Sequence, residues 1–172
     1  MKADTSKLLD TIRPEAVPVH GEYVITVYRA NGGVERKVIK NVVTRAGLNR
    51  MAHRAVANDT SAFNYLLIGT QTATHSLDSA QGGFGEVSRK AGATVANSRE
   101  WAYLQNTWGG SSDSLTGVAL DSVGISDYQN SSSSTGILGS AVNGMGVTLQ
   151  NSDLLDVTYR ARIGSHNLSH ST

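Results

Sequence analysis

Glu22-Tyr-Val-Ile-Thr-Val-Tyr-Arg29, followed by Ala30-Asn31-Gly32-Gly33 and then by Val34 to Val43, has the pattern of a β-hairpin. The first run is β-branched and aromatic, which favours a pleated, half-buried backbone. Asn-Gly supplies the positive φ angles that a tight hairpin turn requires. Apolar residues fall on both faces of the first run, so it is expected to be a central or sandwiched strand. The second run alternates charge with Val38, Ile39, Val42 and Val43, so part of it is expected to face water.

Outward toward the C-terminus, the period changes once. Thr44 is a candidate N-cap, and Leu48, Met51, Ala52, Ala55 and Val56 recur at helical spacing as the face to be buried. Beyond that helix the signals are short strands. Phe63 to Gly69 is one, with a polar loop from Thr70 to about Gly85 after it. Glu100 to Gln105 is another, placing Trp101 and Tyr103 on one side, and Trp108 to Asp113 is expected to be a turn. Weaker strands are expected at Val118–Ser126 and Gly136–Val142, separated by a Ser-rich tip from Tyr128 to Thr135. Leu155, Val157, Tyr159, Ala161 and Ile163 then alternate strictly with polar residues, a long half-buried strand. Toward the N-terminus, Pro14 and Pro18 keep residues 1–19 from regular structure, and Leu8, Leu9, Ile12 and Val17 are too few to form a core. The expected architecture is therefore mainly β: an antiparallel β-sandwich, jelly-roll-like, over residues 20–164. It carries one short α-helix and an extended N-terminal arm, and residues 165–172 form a tail.

At 172 residues the chain fits one domain with a core of its own. Its lack of cysteine excludes disulfides and thiolate metal sites. Met1 to Pro18 lacks the apolar core of a signal peptide, and no run approaches the length of a membrane span, so neither is expected. Charge is unevenly placed: residues 1–54 carry ten of the fifteen Lys and Arg against five acids, and the remainder five against nine. Arg36, Lys37, Lys40, Arg45, Arg50 and Arg54 lie in a run without a single acid. Clustered cations of this kind suit phosphate or an acidic protein surface. No nucleic-acid motif surrounds them, so an acidic protein neighbour is the expected partner.

Catalytic patterns are incomplete. Gly82-Gly83-Phe84-Gly85-Glu86-Val87 imitates the glycine loop of protein kinases, but the strand lysine, catalytic loop and metal aspartate that such an enzyme needs are missing. His166 and His170 have ligand spacing but sit in a polar terminal segment, which a solvated tail explains better. Glu86, Glu100, Asp121 and Asp127 are carboxylates with nothing in the sequence to pair them. Trp101, Tyr103 and Trp108 could line a sugar or base platform, although core and rim positions are the commoner use of such rings. The expectation is a protein that is not an enzyme, with no cofactor and no metal.

Several phrases resemble small virion structural proteins of tailed double-stranded DNA bacteriophages. They are Asn41-Val-Val-Thr-Arg-Ala-Gly-Leu-Asn49 entering the helix, Tyr65-Leu-Leu-Ile-Gly-Thr-Gln-Thr72, Val123-Gly-Ile-Ser-Asp127, Gly136-Ile-Leu-Gly139 and the last strand from Ser152 to Ile163. The resemblance spans residues 38–164. It implies a head decoration (cement) protein that binds the major capsid protein or another virion protein, as a homo-oligomer with a trimer favoured. Its place would be the virion, assembled in the host cytoplasm, with no membrane involved. A tail or baseplate fibre attachment protein is the alternative within the same resemblance, and a host-surface carbohydrate-binding module is the alternative outside it. The capsid or subunit contacts would then fall on Leu8, Leu9, Ile12 and Val17 of the arm and on the basic run from Arg36 to Arg54.

Overall fold

The computed structural model describes residues 19–56, 62–76, 78–79, 84–95, 102–127 and 137–163. Side chains at 54–56, 94–95 and 163 are outside that description. Among the described residues the chain is mainly β, with one helix, α1 (Arg45–Val56).

Two five-stranded antiparallel sheets carry the structure. The first sheet has the order β2 (Val34–Lys40), β1 (Val19–Tyr28), β12 (Leu154–Ile163), β7 (Ala102–Gly109), β6 (Ala93–Val95). The second has the order β3 (Val42–Val43), β10 (Leu138–Val142), β9 (Ser122–Ser126), β4 (Tyr65–Gly69), β5 (Glu86–Ala91). A small ribbon of β8 (Ala119–Leu120) and β11 (Val147–Thr148) closes one end. The expected hairpin is present, with Gly32 at φ +86° in its turn. β1 is central, flanked by β2 and by β12.

The sheets are joined face to face by one core. Tyr23, Ile25 and Val27 of β1, Leu155, Val157 and Tyr159 of β12, and Leu104 and Trp108 of β7 meet Leu66 and Ile68 of β4 and Val123 and Ile125 of β9. The odd-numbered alternation of β12 thus points inward, as its sequence period requires. At the centre, the Tyr23 and Tyr159 rings lie 4.9 Å apart, and Tyr23 Oη meets Ser140 Oγ at 2.6 Å. A buried phenol oxygen needs such a partner, because an unmade hydrogen bond in the core is costly. Burial pushes the pKa of both tyrosines up, so they stay neutral.

Several expectations are corrected by the structure. The second hairpin strand does not run unbroken to Val43: it ends at Lys40, and after Asn41 the chain joins the second sheet, where Val42 and Val43 pair with β10. Val19, assigned to the arm, already pairs with Ile163. The turn expected from Trp108 starts later, because Trp108 lies in β7 opposite Leu155 and is fully buried. β5 and β6 were not expected at all. The pattern of β5 is inverted for a strand on a core: Val87 faces solvent, while Ser88 accepts a hydrogen bond from Trp108 Nε1 at 2.9 Å.

The helix also departs from its expected face. Thr44 is its N-cap, with Oγ1 accepting the Gly47 N–H at 3.0 Å. The residue pressed against the sheet is Gly47, whose absent side chain leaves room for the backbone of Gly139 on β10. Leu48, expected in the buried stripe, is exposed, as is Ala52. Ala55 and Val56 lie outside the described side chains. The helix docks backbone to backbone at Gly47, and Leu48 beside it is turned aside to solvent.

Candidate interaction surface

The two sheets are covered unequally. On the second sheet, both faces are occupied: Leu66 and Ile68 face the shared core, while Leu67 and Leu138 pack under Phe84 in a second apolar cluster. Phe84 therefore works as a core plug. Gly85 sits at φ +65°, a conformation that side chains rarely adopt, as it brings Phe84 over the sheet.

The outer face of the first sheet carries no such cover among the described residues. Register places Tyr28 beside Val34 on one side and Leu154 on the other, an apolar row across three strands. These residues are 47%, 60% and 47% exposed, and Val38, two positions from Arg36 on the same face, is 48% exposed. Four of the six exposed large hydrophobic residues among those described thus share one face of one sheet. Contiguous apolar exposure of this kind marks a contact surface more often than scattered single residues do. Sequence reasoning missed the row, because it is assembled by cross-strand register from residues far apart in the chain.

The same face is basic at its other end. Lys40, Glu22, Arg160 and Tyr103 form one row, and His20 and Arg162 the next. Glu22 is held by Arg160, and Asp156 accepts hydrogen bonds from Gln105, Thr107 and Thr158. Those acids are already engaged, so the cations Arg36 and Lys40 dominate what a partner meets.

The basic run is not one surface. Arg36, Lys37 and Lys40 are exposed on β2, and Lys37 Nζ donates to the Gly144 carbonyl. Arg45 lies 3.5 Å from Asp78 in an exposed ion pair, which contributes little to stability. Arg50 is not available for docking: its guanidinium is paired with the buried Asp127 carboxylate, whose other oxygen accepts the Ile137 N–H at 2.7 Å. The side chain of Arg54 lies outside the described residues, and so do Leu8, Leu9, Ile12 and Val17.

The chemical candidates resolve in the same way. Glu86 pairs with Arg89, Asp127 with Arg50, and Asp121 accepts the N–H groups of Gly144 and Gly146. Glu100, His166 and His170 lie outside the described residues. Trp108 is in the core, and Tyr103 belongs to the opposite face of the same strand, so these two rings do not line one platform. Trp101 is outside the described residues. Among the described residues no group of three His, Asp or Glu is placed to hold a metal ion, and no helix is long and apolar enough to cross a membrane.

Two turns are locked electrostatically. Asp153, buried, accepts the N–H groups of Gln150 (2.9 Å) and Ala30 (3.0 Å) and a hydrogen bond from Arg29 (2.8 Å). These donors hold its carboxyl below the usual aspartate range. Arg29 also binds Glu35 at 2.8 Å, so the β1–β2 turn is tied to the approach to β12. His75 is the one buried histidine among the described residues. It stacks on Phe84 at 5.4 Å, its Nε2 is without a hydrogen-bond partner, and burial pulls its pKa down.

No protein-family model matches the chain, and no curated protein or solved structure is significantly similar to it.

Proposed function

We propose that this chain is a structural protein of a tailed-phage virion, a decoration or cement protein that binds the assembled head and has no enzymatic activity. The observation that carries the reading is the open outer face of the first sheet, with its apolar row Tyr28, Val34 and Leu154 beside exposed Arg36 and Lys40. Such a face suits a permanent neighbour that is apolar with an acidic margin, as a major capsid protein could offer. Support also comes from the phrases that carry the phage resemblance. Thr44 and Gly47 of the first phrase lie on Leu138 and Gly139 of the fourth, so they form one structural contact. A ligand that binds only the assembled shell stabilises it by mass action. The oligomer is a trimer in this reading, with the arm residues Leu8, Leu9, Ile12 and Val17 reaching a neighbouring subunit.

The test is attachment to undecorated shells. Val34→Asp combined with Leu154→Asp changes only exposed positions, so melting stays close to wild type while occupancy collapses. Deleting residues 1–18 leaves a folded domain and lowers occupancy or breaks the oligomer. Wild-type attachment weakens as salt rises, since exposed charges are screened beyond about 8 Å at physiological ionic strength. Full occupancy by the double variant overturns the reading, and a shift of duplex DNA at physiological salt would replace it with a nucleic-acid partner.

A further inference from the structure

The longest strand at the margin of either sheet is β2, seven residues with one hydrogen-bonded neighbour. At both margins of the sandwich the chain bends from one sheet to the other, on this side from β2 to β3 through Asn41, and the opposite margin does the same. There the chain passes from β5 to β6 through Gly92, bending from one sheet to the other, and Asn106 and Lys90 donate across that corner to Ala91 and Thr107 carbonyls. On β2's side Lys37 Nζ donates to the Gly144 carbonyl, and among the described residues no strand pairs with the outer edge of β2. An uncovered strand presents alternate N–H and C=O groups that can pair with another chain.

Beneath β2 lies a cavity of about 290 Å³. Its floor is apolar, made by Ile25, Val27, Met145 and Val147, and Glu35 and Lys37 stand at its rim. Register explains the arrangement. Glu35, Lys37 and Ile39 point toward the core side, opposite Val27, Ile25 and Tyr23. Two of these three positions are charged, so the core edge beneath them is roofed by polar-tipped side chains where an apolar residue would fit.

We propose that β2 is an edge for strand addition, taking an extended segment of a partner protein in which one apolar side chain is flanked on both sides by carboxylates. The apolar side chain enters the cavity over Ile25 and Met145. Its neighbours in sequence point to the opposite face: with the apolar residue across from Lys37, one carboxylate lies across from Arg36 and the other across from Val38, diagonal to Lys40, whose neighbour on β1 is Glu22. Main-chain pairing supplies affinity in such complexes, and the side-chain pockets supply specificity. This deepens the attachment reading above by naming what the basic edge receives, and it rests on that reading only for the identity of the partner.

A second copy of β2 does not meet these requirements. In a twofold antiparallel pairing, residues of the same face oppose one another. Centring on Arg36 or Lys37 sets each against itself, and centring on Val38 sets Arg36 against Lys40. Like charges directly opposite one another destabilise a strand pair. The charges that protect this edge against its own kind therefore select a partner of opposite sign.

The probe is the peptide acetyl-Thr-Thr-Asp-Leu-Asp-Thr-Thr-amide, titrated into the full-length ¹⁵N-labelled protein without shells or other virion parts. The expected result is saturable shifts of amides in 34–40 and 144–147, with hydrogen exchange slowed along β2. Replacing the central Leu by Ala in the peptide weakens binding, as does Arg36→Glu with Lys40→Glu in the protein, each by about tenfold. No shift at millimolar peptide overturns the proposal, as does binding that ignores both changes. If the same amides move when the protein alone is diluted, the edge is taken by a second copy and the proposal is likewise overturned. Because no shell is present, failure here leaves the virion reading standing, and failure to attach to shells leaves this result untouched.

Discussion

Replacing Gly47 by Ala sets two effects of opposite sign against each other. Gly47 is in the first turn of α1, and in an isolated helix Ala is preferred to Gly by about 1 kcal/mol. Propensity alone therefore predicts a more stable protein. The structure predicts the reverse. A Cβ at Gly47 would lie 2.1 Å from the Gly139 carbonyl oxygen and 2.9 Å from its Cα, where ordinary contact begins at 3.4 Å. Both atoms are backbone, so no side chain can rotate away. The helix and β10 must part by more than an ångström, which weakens the bonds from Thr44 N–H to Gly139 O (3.1 Å) and from Thr44 Oγ1 to Leu138 O. Overpacking of this kind costs roughly 1–3 kcal/mol, and a rigid backbone neighbour places it at the upper end. Set against the propensity gain, the net loss is about 2 kcal/mol. For a chain of this length that corresponds to a Tm lower by about 4–8 °C. Ala46→Gly, at an exposed position one residue earlier, is the control and costs no more than about 1 kcal/mol. Urea unfolding followed by near-ultraviolet circular dichroism measures both. A Gly47→Ala protein that melts higher than wild type refutes the reasoning, because it shows that the helix is not clamped to the sheet at this point.

Two further outcomes follow from buried groups. Trp108 fills the core between β7, β12 and β5, so Trp108→Ala costs about 3–5 kcal/mol in urea unfolding, and a loss below about 1 kcal/mol would show that the ring is not a core element. His75 has a folded pKa below its unfolded value, so it stays neutral in the native state and takes up its proton more readily when unfolded. Stability is then full above about pH 6.5 and falls as pH drops from there toward the folded pKa. His75→Gln flattens that part of the curve, and an unchanged slope in the variant would assign the acid sensitivity to other groups.

Attachment to shells and the peptide titration test the surface, while these substitutions test the scaffold behind it. The separation is useful, since the apolar row depends on the register of β1 with β2 and β12, and none of the scaffold substitutions touches that register.

Local pattern alone made several elements legible. Gly32 announces its turn, because few residues other than glycine tolerate the positive φ it adopts there. The last strand announces its period, because one face of β12 is in the core and the other is not. Thr44 announces the helix start, because its hydroxyl is the cap. β5 and β6 were illegible for the converse reason: no residue of β5 is fully buried, its apolar Val87 is exposed, and its inward contact is a serine hydroxyl. The basic run was legible as composition but not as a surface. Arg50 follows Arg45 and Lys40 in sequence, yet only folding brings Asp127 against it and removes it from the set.

Sequence by itself determined the class of the fold, because strand period and turn chemistry are properties of a few adjacent residues. It determined that the chain holds no thiol chemistry and that its cations gather before residue 55. The tertiary structure alone decided which side of the sandwich stays open. Phe84 closes the outer face of the second sheet from a loop, and nothing in the described chain does the same for the first. It also decided that Tyr28, Val34 and Leu154 form one row, since cross-strand register joins residues that no local period relates. The physical reason is the same in both cases: burial and contact are set by what packs against a residue, and that partner lies elsewhere in the chain.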